Sequence, residues 1–184
     1  MEEKIVSGVV IGATDYKESD KLISILTPTL GLIRAHMRGV KKEKAKLKFA
    51  AMPFAFCEYS LMRRGDFYTV KTATQIESLL GVSKTPETYV TASVLLEASG
   101  HAVGSQASPD VFIALLTTLK KLIYAGDDAY KLGAEFLYNE LVRGGYIGEH
   151  SEFLCGTESL ALIKKYIRLF ESKFICKIKS ADLL

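Results

Sequence analysis

The sequence predicts a two-part fold: a small five-stranded β-barrel over residues 1–80, followed by an all-α domain over residues 81–184. Two observations carry this. Residues 1–80 are rich in β-branched and aromatic side chains that alternate with period two between turn signals. From Thr85 onward apolar residues recur at spacings of three and four between explicit helix start and stop signals.

The strands follow in order. The first covers residues 3–13, through Ile5, Val9 and Ile11, and the second covers 21–26, stopping at Thr27-Pro28 where proline can no longer donate to a ladder. Gly31 marks the return into a third strand over 32–38. There Ile33, Ala35 and Met37 share one face, with Arg34, His36 and Arg38 on the other, because successive strand side chains point to opposite sides. After a lysine-rich connection, residues 54–62 and 67–76 form a hairpin across Arg63-Arg64-Gly65-Asp66. Five strands in so short a stretch hide their edges best by curling into a barrel.

The helices are signalled as clearly. Thr85-Pro86 opens the first, with a stripe of Tyr89, Ala92, Leu96, Ser99 and Val103 ending near Gly104. Ser108-Pro109-Asp110 opens the second, which aligns Phe112, Leu115, Leu119, Leu122 and Ile123 before Gly126. Asp127 and Asp128 suit the positive end of a third helix with core face Leu132, Phe136, Leu137 and Leu141, broken by Gly144-Gly145. A last helix starts around Thr157 and buries Leu160, Ile163, Ile167, Phe170 and Phe174.

Composition narrows the function. The chain has 184 residues, 48% of them apolar, yet no uninterrupted apolar run long enough for a membrane span. The start Met1-Glu2-Glu3-Lys4 lacks the order of a secretion signal. A soluble, cytoplasmic protein is the expectation. Cysteines at 57, 155 and 176 form neither a disulfide framework nor a Cys-x-x-Cys pair. The net charge of +3 is a sum over unlike regions: 13 basic and 9 acidic residues in 1–80, 5 and 10 in 81–163, and 6 and 2 in 164–184. Such asymmetry suits a chain that meets a polyanion on one face.

Catalysis finds little support. His36, His101 and His150 are widely spread without partners at ligand spacing, and the glycines at 100, 104, 144, 145 and 148 make no phosphate loop. A non-enzymatic protein without cofactor or metal is expected. The sharpest feature is Arg34, Arg38, Lys41, Lys42, Lys44, Lys46 and Lys48, seven cations against the single acid Glu43 within fifteen residues. Phosphates attract such clusters because each neutralised charge releases condensed counterions. A solvated loop could carry the same charges, but this cluster continues from a strand face, and Arg63 and Arg64 on the hairpin extend it. Phe49, Phe54, Phe56, Tyr59, Phe67 and Tyr68 lie in the same region; most are needed to fill the barrel, so none is assigned to base stacking. Lys164, Lys165, Arg168, Lys173, Lys177 and Lys179 make the C-terminal end basic, as a solvated helix face would.

The stretch Thr14-Asp15-Tyr16-Lys17-Glu18-Ser19-Asp20-Lys21-Leu22, followed by Leu26-Thr27 and Gly31, resembles the opening of the bacterial recombination mediator family RecO. The match continues through Arg38-Gly39-Val40-Lys41-Lys42, Met52-Pro53-Phe54, and Phe136, Leu137, Leu141 and Gly145-Tyr146. The resemblance implies an N-terminal oligonucleotide-binding (OB) barrel joined to a helical domain. It also implies binding of single- and double-stranded DNA, annealing of complementary strands, and loading of RecA with RecR on DNA coated by single-strand binding protein, whose tail would meet the helical half. The Arg and Lys positions from 34 to 48 match the family's basic barrel surface, and nucleoid association follows. Many relatives carry a four-cysteine zinc module where this chain has only Cys155-Gly156, so a short form without zinc is expected, with a natural ending at Lys179–Leu184. The rival expectation is a non-catalytic adaptor whose barrel and basic loop bind a protein; an RNA-binding barrel is a third.

Overall fold

The computed structural model describes residues 3–65, 67–103, 106–148 and 158–184. His150, Cys155 and Thr157 lie outside the described residues. The chain divides into two compact units, Met1–Leu80 with Val103–Phe112, and Gly81–Ala102 with Ile113–Leu184.

The first unit is built on five strands: β1 (Glu3–Tyr16), β2 (Asp20–Thr27), β3 (Gly31–Met37), β4 (Ala55–Arg64) and β5 (Phe67–Ser78). They close into a barrel in the order β1-β2-β3-β5-β4, with β4 returning to β1. All pairings are antiparallel except β3 with β5, a narrow parallel seam of Ala35 with Tyr68 and His36 with Thr69. The alternation of 32–38 holds: Ile33, Ala35 and Met37 are buried, while Arg34 and Arg38 are exposed. The core collects Val10, Ile23, Ile25, Ala35, Met37, Tyr59 and Leu61. Burial of such side chains is the main favourable term of folding.

One local feature fills in the expected stop at Thr27, and two differ from expectation. Thr27 organises the β2–β3 turn through its hydroxyl, which accepts the Leu30 amide at 3.0 Å and donates to the Gly31 carbonyl at 3.0 Å. Arg63 and Arg64 belong to β4 rather than to the turn, pairing with Tyr68 and Phe67. Phe54 precedes β4 instead of starting it; it is buried, and its amide donates to Val10.

The second unit is helical. It holds most of α1 (Pro86–Val103) and α2 (Pro109–Tyr124), then α3 (Ala129–Arg143) and α4 (Ser159–Phe174), and a final 3-10 turn, Lys179–Leu183. Asp128 caps α3 by accepting the Lys131 amide at 3.1 Å. At the other end Gly145 is left-handed (φ 71°), and the amides of Gly145 and Tyr146 return to Val142 and Leu141, each at 2.9 Å. This double return is how a helix satisfies its last carbonyls, and glycine makes it inexpensive.

The predicted faces of α2 and α3 are buried as read from Phe112 to Leu141. Helix α1 is different: Thr91, Ala92, Val94, Leu95, Leu96, Ala98 and Ser99 are all buried, so its apolar surface is no single stripe, and Tyr89 is 44% exposed rather than in the core. In α4, Leu162 and Tyr166 join the expected Ile163, Ile167 and Phe170, while Leu160 and Phe174 are only half-buried.

Candidate nucleic-acid interface

The basic cluster leaves β3 at Arg38 and runs over the barrel through residues 38–54. This is no free loop. Val40, Ala50 and Ala51 are buried in the barrel core and Leu47 packs against it, while Lys48–Ala51 form a 3-10 turn whose Ala50 carbonyl accepts the buried Tyr59 hydroxyl at 3.0 Å. Apolar residues at 40, 47, 50 and 51 hold the backbone down, and the lysines between them stay exposed. Burial pushes the Tyr59 phenol well above its ordinary value, so it remains a neutral donor.

Two grooves flank this segment. One, of about 400 Å³, is lined by Asp15, Lys21, Val40, Lys41, Lys48, Ala51 and Met52. The other, of about 250 Å³, lies beside Met37, Arg38, Val40, Leu47, Thr69, Val70 and Lys71. The fold therefore brings Lys41 and Lys48 together with Lys21 of β2, and Arg38 together with Lys71 of β5. Phosphate oxygens need cations from several directions, and this arrangement supplies them.

The remaining sequence-predicted residues are placed otherwise. Lys42 folds back over Gly39, which has φ 63°. Lys44 and Lys46 are exposed and line neither groove. Arg34 is exposed on the outer wall, opposite Ser24. Arg63 turns its Nε to the Gly65 carbonyl at 3.2 Å, and the side chain of Arg64 lies outside the described residues.

Lys21 and Lys71 are the residues that reading along the sequence missed. Lys21 faces Asp15 and Met37 in the strand register, a position visible only once pairing is known. Lys71 is the extra residue of a β-bulge: Ser60 pairs with Thr72 and Leu61 with Val70, leaving Lys71 between them. A bulge re-aims the side chain it inserts, and no local pattern announces it.

Acids temper the cluster and also fix it. Lys41 Nζ donates to Asp15 Oδ2 at 2.6 Å, which holds the Asp15 carboxyl below its usual value. Asp15 thus supplies the counter-charge that the count within residues 34–48 did not include. Lys48 Nζ donates to the Glu43 carbonyl at 3.0 Å. Asp20 accepts the Gly39 amide at 2.7 Å and meets His36 Nε2 at 2.8 Å; its carboxyl is lowered first by the Gly39 bond and then by His36. Of the aromatic residues, Tyr59 lies in the barrel core, Phe54 and Phe56 are buried outside that cluster with Phe56 edge-on to Phe112, and Phe49 and Phe67 are exposed. No group of three or more His, Cys, Asp or Glu among the described residues could hold a metal ion, and no described helix is long and apolar enough to cross a membrane.

A five-stranded OB-type barrel with a basic face, continued by a helical unit, defines the class of protein. Within it, residues 1–79 match the family model described as "Recombination protein O N terminal", which bears out the resemblance read from Thr14–Leu22. A DNA repair protein RecO from Dehalococcoides mccartyi is 32% identical over 115 residues, 62% of this chain and 46% of the relative. Another from Caldicellulosiruptor bescii is 26% identical over 140 residues, 76% and 57%. A third, from Bacillus subtilis, is 26% identical over 118 residues, 62% and 46%. The 140-residue alignment is longer than the barrel, so the likeness continues into the helices. The chain spans about half the length of these curated relatives.

Proposed function

We propose that this chain acts in DNA repair and recombination as a non-enzymatic mediator. It binds single- and double-stranded DNA on its barrel, anneals complementary strands, and helps load RecA together with RecR on DNA coated by single-strand binding protein, in the cytoplasm at the nucleoid. The observation that carries this reading is a coincidence of place: the residues that match the RecO N-terminal domain also build two cation-lined grooves from four strands and the segment between β3 and β4. Cations held on both sides of a backbone screen the mutual repulsion of two strands, which is what annealing requires. The reading needs no metal and no reacting group. The helical unit is its candidate for the tail of single-strand binding protein.

Fluorescence anisotropy of a labelled single-stranded oligonucleotide across a salt series tests it. Engagement of about six phosphates gives a logarithmic slope of about −4. The triple variant Arg38→Ala, Lys41→Ala, Lys48→Ala is expected to flatten that slope and weaken binding while the barrel stays folded. Absence of binding at low salt, or an unchanged slope in the variant, would overturn the reading in favour of a protein adaptor.

A further inference from the structure

The basic segment is fastened at its entrance by the turn between β1 and β2. Asp20 accepts the Gly39 amide at 2.7 Å and the Ser19 hydroxyl at 3.2 Å, and meets His36 Nε2 at 2.8 Å. Ser19 in turn accepts the Lys41 amide on its carbonyl at 2.9 Å. The Tyr16 ring meets the His36 ring edge-on, with centroids 5.2 Å apart. Two alternate residues of the loop entrance, Gly39 and Lys41, are thus tied through their backbones to Asp20 at the start of β2 and to Ser19 of the turn before it. Arg38 and Lys41, one in each groove, lie on either side of the Gly39 tie.

We propose that Asp20 is a positioning residue for DNA binding: its carboxylate touches no nucleic acid but fixes the exit of β3, so that Arg38 and Lys41 stay at their grooves. The inference rests on the DNA-binding reading above. Its physical content lies in a sign. An acid beside a polyanion site weakens binding through charge alone, so removing one should tighten binding. Asp20 departs from that rule because loosening the exit of β3 makes the ligand order part of it again on binding, which costs backbone entropy. Its side chain is only 14% exposed, and its bonds join Gly39 at the loop entrance to His36 of β3 and to Ser19. Glu18, in the same turn and exposed, provides the comparison.

The experiment compares wild type, Glu18→Gln, Asp20→Ala and Asp20→Asn by anisotropy on one single-stranded oligonucleotide at fixed salt, with amide hydrogen exchange at Gly39 and Lys41. Glu18→Gln is expected to bind as tightly as wild type or slightly tighter. Asp20→Ala, with the same charge gain, is expected to bind about five- to tenfold more weakly, with faster exchange at both amides. Asp20→Asn keeps a carbonyl oxygen for the Gly39 amide and is expected to bind at least as well as wild type. Asp20→Ala binding as tightly as Glu18→Gln, or Asp20→Asn failing as badly as Asp20→Ala, would overturn the positioning role alone. Should Asp20→Ala not fold, Asp20→Asn and the wild-type protein decide, since an unprotected Gly39 amide in wild type also overturns the role. Wild type that does not bind at low salt overturns the DNA reading itself.

Discussion

The two units use their charges in opposite ways. In the helical unit acids bond to their own chain: Glu97 accepts the amides of Lys179 and Ser180, Glu171 accepts that of Ile178, Asp128 caps α3, and the buried Glu140 pairs with Arg143. In the barrel unit Asp15 and Asp20 are likewise engaged in holding the basic segment, yet most cations there remain exposed. A regional surplus of charge is therefore a poor guide to a surface. The acidic balance of residues 81–163 is in part consumed internally, whereas the basic balance of residues 1–80 faces outward.

Five expectations would break or sharpen this contrast. The largest concerns plain packing: Leu137→Ala in the core of the helical unit should cost about 3 kcal/mol in a denaturant melt, because a fully buried leucine leaves a cavity. Arg143→Ala withdraws a cation from a glutamate that is 2% exposed and should cost about 2 kcal/mol; a neutral result would mean that Glu140 is served by its other contacts. Asp128→Ala should cost about 1 kcal/mol through the lost cap. Gly145→Ala should cost about the same, since its φ of 71° disfavours any side chain. Neutralising Arg38, Lys41 and Lys48 should change stability by about 0.5 kcal/mol or less, because the cations are exposed. If the barrel variant proves as destabilising as Arg143→Ala, the contrast between the units fails.

Acid offers a further check on the barrel. The carboxyls of Asp15 and Asp20 are lowered in the folded chain, by Lys41 for the first and by the Gly39 amide and His36 for the second. Their bonds therefore favour folding above the ordinary carboxylate value of about 4, and that support fades as pH falls through the lowered values. Amide exchange at Gly39 and Lys41, followed from neutral pH down to below 3 and corrected for intrinsic rates, should show protection declining there.

Much of this was legible from local pattern. The alternation from Leu32 to Arg38, the Thr27-Pro28 stop, the Asp128 cap and the Gly144-Gly145 break each rest on chemistry within a few residues. What escaped depends on contacts distant along the chain. Lys21 and Lys71 join the grooves only through strand register and a bulge, and the partner of Lys41 lies 26 residues before it. Tyr89 eludes the stripe because α1 is buried on so much of its circumference that helical spacing alone does not single out the exposed side. Residues 38–54 read as a charged connection because the four small or aliphatic side chains that anchor them are spaced irregularly.

The parallel seam between β3 and β5 has a kinetic consequence. The β1–β2–β3 meander and the β4–β5 hairpin can each form from neighbours in sequence, whereas joining Ala35 to Tyr68 closes a loop of more than thirty residues for the sake of two pairs. Loop closure of that length gives little return until it is complete, so it belongs late on the folding route. The segment from Arg38 to Phe54 lies within that loop. The charged face would thus be assembled last, after a nascent barrel has already hidden most of its apolar surface.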